Sequence, residues 1–219
     1  MDSSDETKGQ THDQVDTASS GERQEGTQPA GGEELIVTDT EVVVGEATPS
    51  ALGPDDFELL ALYGFSAKCP KTARLELNPK STRQKGDVVL HFEQGLKIFV
   101  SWGKLEDARK RYPTAAAQAS DSVKRSIKST QAKLDGTPET KNLKIQGHDA
   151  VYTHARMFVE RGGFPFGSRR VTQDAYAMHV HCEDSGRYYV VYAFVRPEGS
   201  ETLAKIFEPI MSSLKCHSS

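Results

Sequence analysis

His179 and His181 lie two residues apart in Tyr176-Ala177-Met178-His179-Val180-His181-Cys182. On a β-strand that spacing turns both imidazoles to one face. His148 and His154 fall in the preceding apolar segment, so a hairpin of the two segments would bring the rings together. Neutral imidazoles so arranged bind zinc or another transition metal. The opposing reading is a row of polar side chains on a sheet face. No carboxylate is fixed as a third ligand, because Glu183 and Asp184 belong to a predicted turn, and no metal residue is assigned.

Cys69, Cys182 and Cys216 are isolated from one another. An odd number without paired spacing argues against a disulfide framework and against a zinc knuckle. Cys182 and Cys216 each sit near the end of a predicted element and could meet in space; the plainer reading is buried free thiols. The chain has no Gly-x-Ser-x-Gly elbow, and Gly162-Gly163 lacks the Lys-Ser/Thr of a phosphate-cradling loop. No catalytic residue and no cofactor is assigned. A metal-dependent enzyme built on His179 and His181 is kept as an alternative.

A partner surface is better supported by Gly162-Gly163-Phe164-Pro165-Phe166-Gly167-Ser168-Arg169-Arg170. Glycine permits unusual backbone angles, and proline stiffens a segment that presents two phenyl rings beside two guanidiniums. Protein interfaces concentrate aromatic and Arg anchors. The expected partner residues are Phe164, Phe166, Arg169 and Arg170, with Arg156 on the adjoining strand. The alternative is a hairpin loop whose phenyl rings fold back onto the core.

The charge is divided along the chain. Residues 1–56 carry 14 Asp/Glu against 2 Lys/Arg, a formal charge of −12, whereas residues 57–219 carry 17 against 25, or +8. The acidic part is rich in Ser, Thr, Gly and Gln, with no aromatic residue before Phe57, so residues 1–52 read as a disordered tail. Residues 53–219 read as one domain. The basic body could attract phosphate by counterion release, which makes a nucleic-acid-binding protein restrained by its tail a second alternative. A charge run is more often a solvated face, and a protein partner is preferred. The polar, acidic start does not fit a secretory signal, and no run approaches the ~20 apolar residues of a membrane span. A cytoplasmic location is expected.

The elements that must hold these residues follow from periodicity. Pro54 with Asp55 and Asp56 suits a helix start, with Phe57, Leu60 and Ala61 on one face. Phe65–Pro70 reads as extended and Ala73–Leu77 as a short strand. Val88, Leu90 and Phe92 alternate, as do Leu96, Ile98, Val100 and Trp102, and Glu93-Gln94-Gly95 joins them as a hairpin. A helix from Pro113 to about Leu134, ended by Asp135-Gly136, carries a stripe of Ala116, Ala119, Val123, Ile127, Thr130 and Leu134. Val151–Val159, Ala175–Cys182 and Arg187–Val195 are strands. The last is apolar on both sides and demands cover on each face of the sheet. Ser200 caps a closing helix with Leu203, Ile206, Phe207, Ile210, Met211 and Leu214 inward, which Pro209 should kink or restart.

The segments Gly64–Pro70, Asp87–Trp102, Gly147–Tyr152, Arg187–Val191 and Ile210–Cys216, in that order around a long helix, resemble the superfamily of PsbP, the bacterial DcrB and LpqN lipoproteins and the Mog-type Ran-release factor. The resemblance covers roughly residues 57–219. It implies an α+β fold in which an antiparallel β-sheet is covered by helices on both faces. It also implies a binding, assembly or accessory role with no transferable active site. Glu33–Val44, two aliphatic clusters among acids, resembles the short motifs that dock on ubiquitin-like proteins; a spacer or an edge strand is the other reading. The expectation is a non-enzymatic cytoplasmic module that recognises a protein through its basic, aromatic loop face, with the acidic tail modulating access.

Overall fold

The computed structural model describes residues 53–161 and 169–217. The expectations for residues 1–52, and for Phe164 and Phe166, lie outside these. The first predicted helix is instead a short turn, Pro54–Asp56, followed by strand β1 (Phe57–Leu62). It pairs with β2 (Phe65–Pro70) across a two-residue turn, Tyr63-Gly64, in which both residues take positive φ, 47° and 90°. That turn geometry fits the twist of a tight hairpin and turns the chain back before a helix can form.

The main sheet is antiparallel at every pairing. Its strands are β3 (Arg74–Leu77), β4 (Gly86–His91), β5 (Lys97–Lys104), β6 (Lys133–Leu134), β7 (Glu139–Ile145), β8 (His148–Arg161), β9 (Arg169–Cys182) and β10 (Arg187–Val195). Their spatial order is β3-β4-β5-β10-β9-β8-β6, with β7 also on the outer edge of β8. The expected hairpin is β4–β5, in register with Val88 opposite Val100 and Leu90 opposite Ile98. β7 was not anticipated: six of its seven residues are exposed, so it lacks the apolar alternation that marks a half-buried strand.

Helices α1 (Leu105–Arg109), α2 (Ala115–Thr130) and α3 (Ser200–Ser213) complete the α+β domain. One face of the sheet, bearing Trp102, Met178, Val180, Tyr189 and Val191, packs against Leu203, Ile206, Phe207 and Ile210 of α3 and Phe65, Ala67 and Cys69 of β2. A fully buried side chain of this kind contributes about 1.5–3 kcal/mol, so this face dominates stability. The opposite face is lighter, with Ala115 and Ala119 of α2 on Val151.

Two helical expectations need correction. α2 is capped by Thr114, whose hydroxyl accepts from Ala117 N at 3.1 Å, and it ends at Gln131 (φ 54°) rather than near Leu134. Leu134 joins β6 and is exposed. The buried positions of α2 are Ala115, Gln118, Ala119 and Ser126, while Ala116 is exposed. The helix is turned from its apolar stripe so that small and polar side chains meet the sheet histidines. α3 does not restart at Pro209 but continues through it as one helix, and Ser200 is its first residue rather than its cap.

Candidate functional site

Three chain segments converge at one end of the sheet. The β7–β8 turn, Gln146-Gly147, has both residues at positive φ, 49° and 86°. The β9–β10 turn is Glu183–Gly186, closed by Gly186 N donating to Glu183 O at 3.0 Å. The segment after α3, residues 214–217, is fastened beside them. Ser66 and Lys215 exchange backbone hydrogen bonds of 2.9 and 2.7 Å. Gln146 Oε1 accepts from Cys216 N at 2.8 Å and His217 N at 3.3 Å, and its Nε2 donates to His217 O at 3.3 Å. Tyr189 Oη donates to Cys216 O at 2.9 Å.

This fastening gathers His148, Cys182, Cys216 and His217, one potential ligand atom from each lying within 4.8 Å of the others. His217 Nδ1 is 3.5 Å from Cys182 Sγ and 3.6 Å from Cys216 Sγ. Both thiols are fully buried. Burial, followed by contact with Cys182, pushes the Cys216 thiol far above its ordinary range. Nε2 of His148 and Nε2 of His217 each lie 3.5 Å from Asp184 Oδ2, and His148 Nδ1 accepts from Glu183 N at 3.4 Å. The expectation that Cys182 and Cys216 could meet is met. His217, beyond the predicted end of the closing helix, was missed; only its adjacency to Cys216 could have signalled it.

Beside the cluster opens a cleft of about 500 Å³, lined by Gly64, Arg83, Gln84, Lys104, Asp184–Arg187 and His217. Its lining thus includes three cationic residues, of which Arg187 is buried, and one carboxylate. Arg187 is held rigidly: Nη1 donates to the carbonyls of Tyr63 and of Arg83, the latter at 2.9 Å, and the guanidinium lies 5.4 Å from the Tyr189 ring centroid. A Cβ on Gly64 would fall 2.7 Å from Arg187 Nη2, so glycine is needed there for space as well as for its φ of 90°.

The histidines singled out first do share a face, but beneath α2. His179 Nε2 pairs with Ser122 Oγ at 3.0 Å, and His181 Nε2 with Gln118 Oε1 at 2.8 Å. Burial pushes His179 down to about 3, with His181 and Arg125 adding to the effect. Burial also lowers His181. His148 and His154 point to the other side of the sheet, so the four imidazoles do not assemble.

At the far end of the β8–β9 hairpin, Arg156 Nε and Nη2 donate to Asp174 at 2.9 and 3.2 Å. The Asp174 carboxylate also receives His154 Nε2 at 3.1 Å and Ser200 Oγ at 2.7 Å. Burial alone would raise this carboxyl, but the hydrogen bonds from Arg156, Ser200 and His154 outweigh it and hold it below the usual range. Arg170 stacks 3.8 Å from the Phe158 ring centroid and pairs with Asp135 at 2.8 Å. Arg169 is exposed. Two of the three described arginines of the expected partner face therefore have carboxylate partners within the domain.

No protein-family model and no curated protein matches the chain. Among solved structures, the cyanobacterial PsbP (CyanoP) of Synechocystis sp. PCC 6803 aligns at 14% identity with a TM-score of 0.48, over 77% of this chain and 97% of that one. PA94, a protein of unknown function from Pseudomonas aeruginosa, aligns at 13% identity with a TM-score of 0.37, over 74% and 99%.

Proposed function

We propose that this protein is a non-enzymatic binding module whose cleft at Arg83, Lys104 and Arg187 takes an acidic segment of a protein partner. One observation carries the reading: three cations and a single carboxylate line a cleft of about 500 Å³, and residues 57–219 carry a formal charge of +8. The −12 segment at residues 1–56 is the natural competitor for the same cleft and would set its availability. Arg169, exposed at the opposite end of the β8–β9 hairpin, is a secondary contact. In this proposal the chain is a divergent PsbP-like sandwich acting in the cytosol. The sequence signatures at Gly64–Pro70 and Arg187–Val191 support the first part, and three buried thiols outside any disulfide support the second. Among the described residues no helix is long and apolar enough to cross a membrane.

The test is binding of an acidic peptide at low and physiological salt. Deleting residues 1–50 should strengthen it at low salt, and Arg83→Glu with Lys104→Glu should abolish it. Equal affinity with and without the tail refutes the competitor role. Retention by the double variant, with loss in Arg169→Ala/Arg170→Ala, moves the site to the hairpin loop.

A further inference from the structure

The geometry points to a zinc-type metal site formed by Cys182, Cys216, His217 and His148, which clasps the segment after α3 to the start of the β8–β9 pair. The two thiols and two imidazoles come from three places in the chain, His148, Cys182 and the adjacent Cys216-His217, yet their ligand atoms all lie within 4.8 Å of one another. With Zn–S of about 2.3 Å and Zn–N of about 2.0–2.1 Å, a tetrahedral site needs S···N edges of about 3.6 Å. The two S···N separations at His217 Nδ1, 3.5 and 3.6 Å, already have that length. Two sulfurs and two nitrogens at tetrahedral spacing select zinc over magnesium or calcium, which take oxygen ligands.

Two further features belong to a metal site rather than to a hydrophobic corner. The His148 ring is nearly buried, its side chain only 10% exposed, and its Nδ1 accepts only a long 3.4 Å contact from Glu183 N, which a metal would replace. Asp184 faces the Nε2 of both imidazoles at 3.5 Å, in the position of the carboxylate that orients and polarises ligating histidines. An access path exists as well, since His217 and Asp184 line the cleft while the sulfurs lie behind them. Binding exchanges the two thiol protons for the cation, leaving two thiolates and two neutral imidazoles on it. The inference is independent of what docks in the cleft.

Cobalt(II), which takes tetrahedral zinc sites and reports its ligands by absorption, is the probe for titration of the reduced full-length chain. The expected result is about one equivalent bound, with near-ultraviolet thiolate-to-cobalt bands that zinc displaces. Cys216→Ser should lose those bands. His217→Ala, at a partly exposed position whose fold circular dichroism will check, should weaken binding at least ~10-fold. Asp184→Asn should keep the bands with affinity lowered about 10-fold. Cobalt uptake without thiolate bands, bands that survive unchanged in His217→Ala, or no uptake at all would overturn the site.

Discussion

Gln146 Oε1 accepts the backbone N–H of Cys216 at 2.8 Å, joining a hairpin turn to the segment that follows the last helix 70 positions later. The same side chain also engages both the N–H and the carbonyl of His217. Without it the Cys216–His217 backbone would lose its main anchor at that edge. Gln146→Ala should therefore cost about 1–2 kcal/mol in denaturant unfolding, through the loss of three hydrogen bonds of which the one from Cys216 N is partly buried. Amide exchange at Cys216 and His217 should accelerate with it. Gln146→Glu keeps the acceptor and should leave the Cys216 amide protected.

Asp174 is fully buried and shares its two oxygens among His154, Arg156 and Ser200. Removing Arg156 leaves that carboxylate short of its strongest donor, although the guanidinium is half-exposed and the effect is moderated by solvent. Arg156→Ala should lower the urea midpoint measurably. Arg169→Ala should stay within about 0.5 kcal/mol. Equal effects in parallel urea titrations would show that the Asp174 hub is not structural.

His179 gives the domain an acid limit. Its folded value of about 3 lies below an unfolded value near 6.5, so between these pH values the unfolded chain binds more protons. The stabilising contribution is fully present above about pH 6.5 and is lost progressively as the pH falls toward 3. Its limiting slope is about 1.4 kcal/mol per pH unit. His179→Asn, which keeps a polar group toward Ser122, should flatten the stability–pH curve across that window. An unchanged slope would place the acid sensitivity elsewhere.

Strand positions, though not their order in the sheet, are legible in the sequence where side chains alternate. Val151, Thr153, Ala155 and Met157 are buried as their period of two requires; in β10, Tyr189, Val191 and Ala193 are buried on the α3 face, whereas on the other face Val190 is buried and Tyr188, Tyr192 and Phe194 are half-buried. β1 reads as a helix in the sequence because Phe57, Leu60 and Ala61 fall at a 3.6-residue period; in the strand Leu60 and Leu62 pack on the core instead and Ala61 is exposed. The tight Tyr63-Gly64 turn decides between helix and strand. α2 hid its orientation because what lies beneath it is polar: Gln118 and Ser122 are selected by His181 and His179, a tertiary requirement that periodicity does not carry. The Cys182–Cys216 approach could be anticipated from element ends. The place of His148, Asp184 and His217 around it depends on register between β8 and β9 and on Gln146, and no local pattern encodes either.

The direct test of the central claim, that the basic cleft is where acidic chain docks, is an amide chemical-shift comparison of the full chain with one lacking residues 1–50, at low salt. The account predicts shifts centred on Arg83, Gln84, Lys104 and Asp184–Arg187, collapsing as salt rises past a Debye length of ~8 Å. Shifts confined to Arg156, Arg169 and Arg170, or identical spectra, would contradict it.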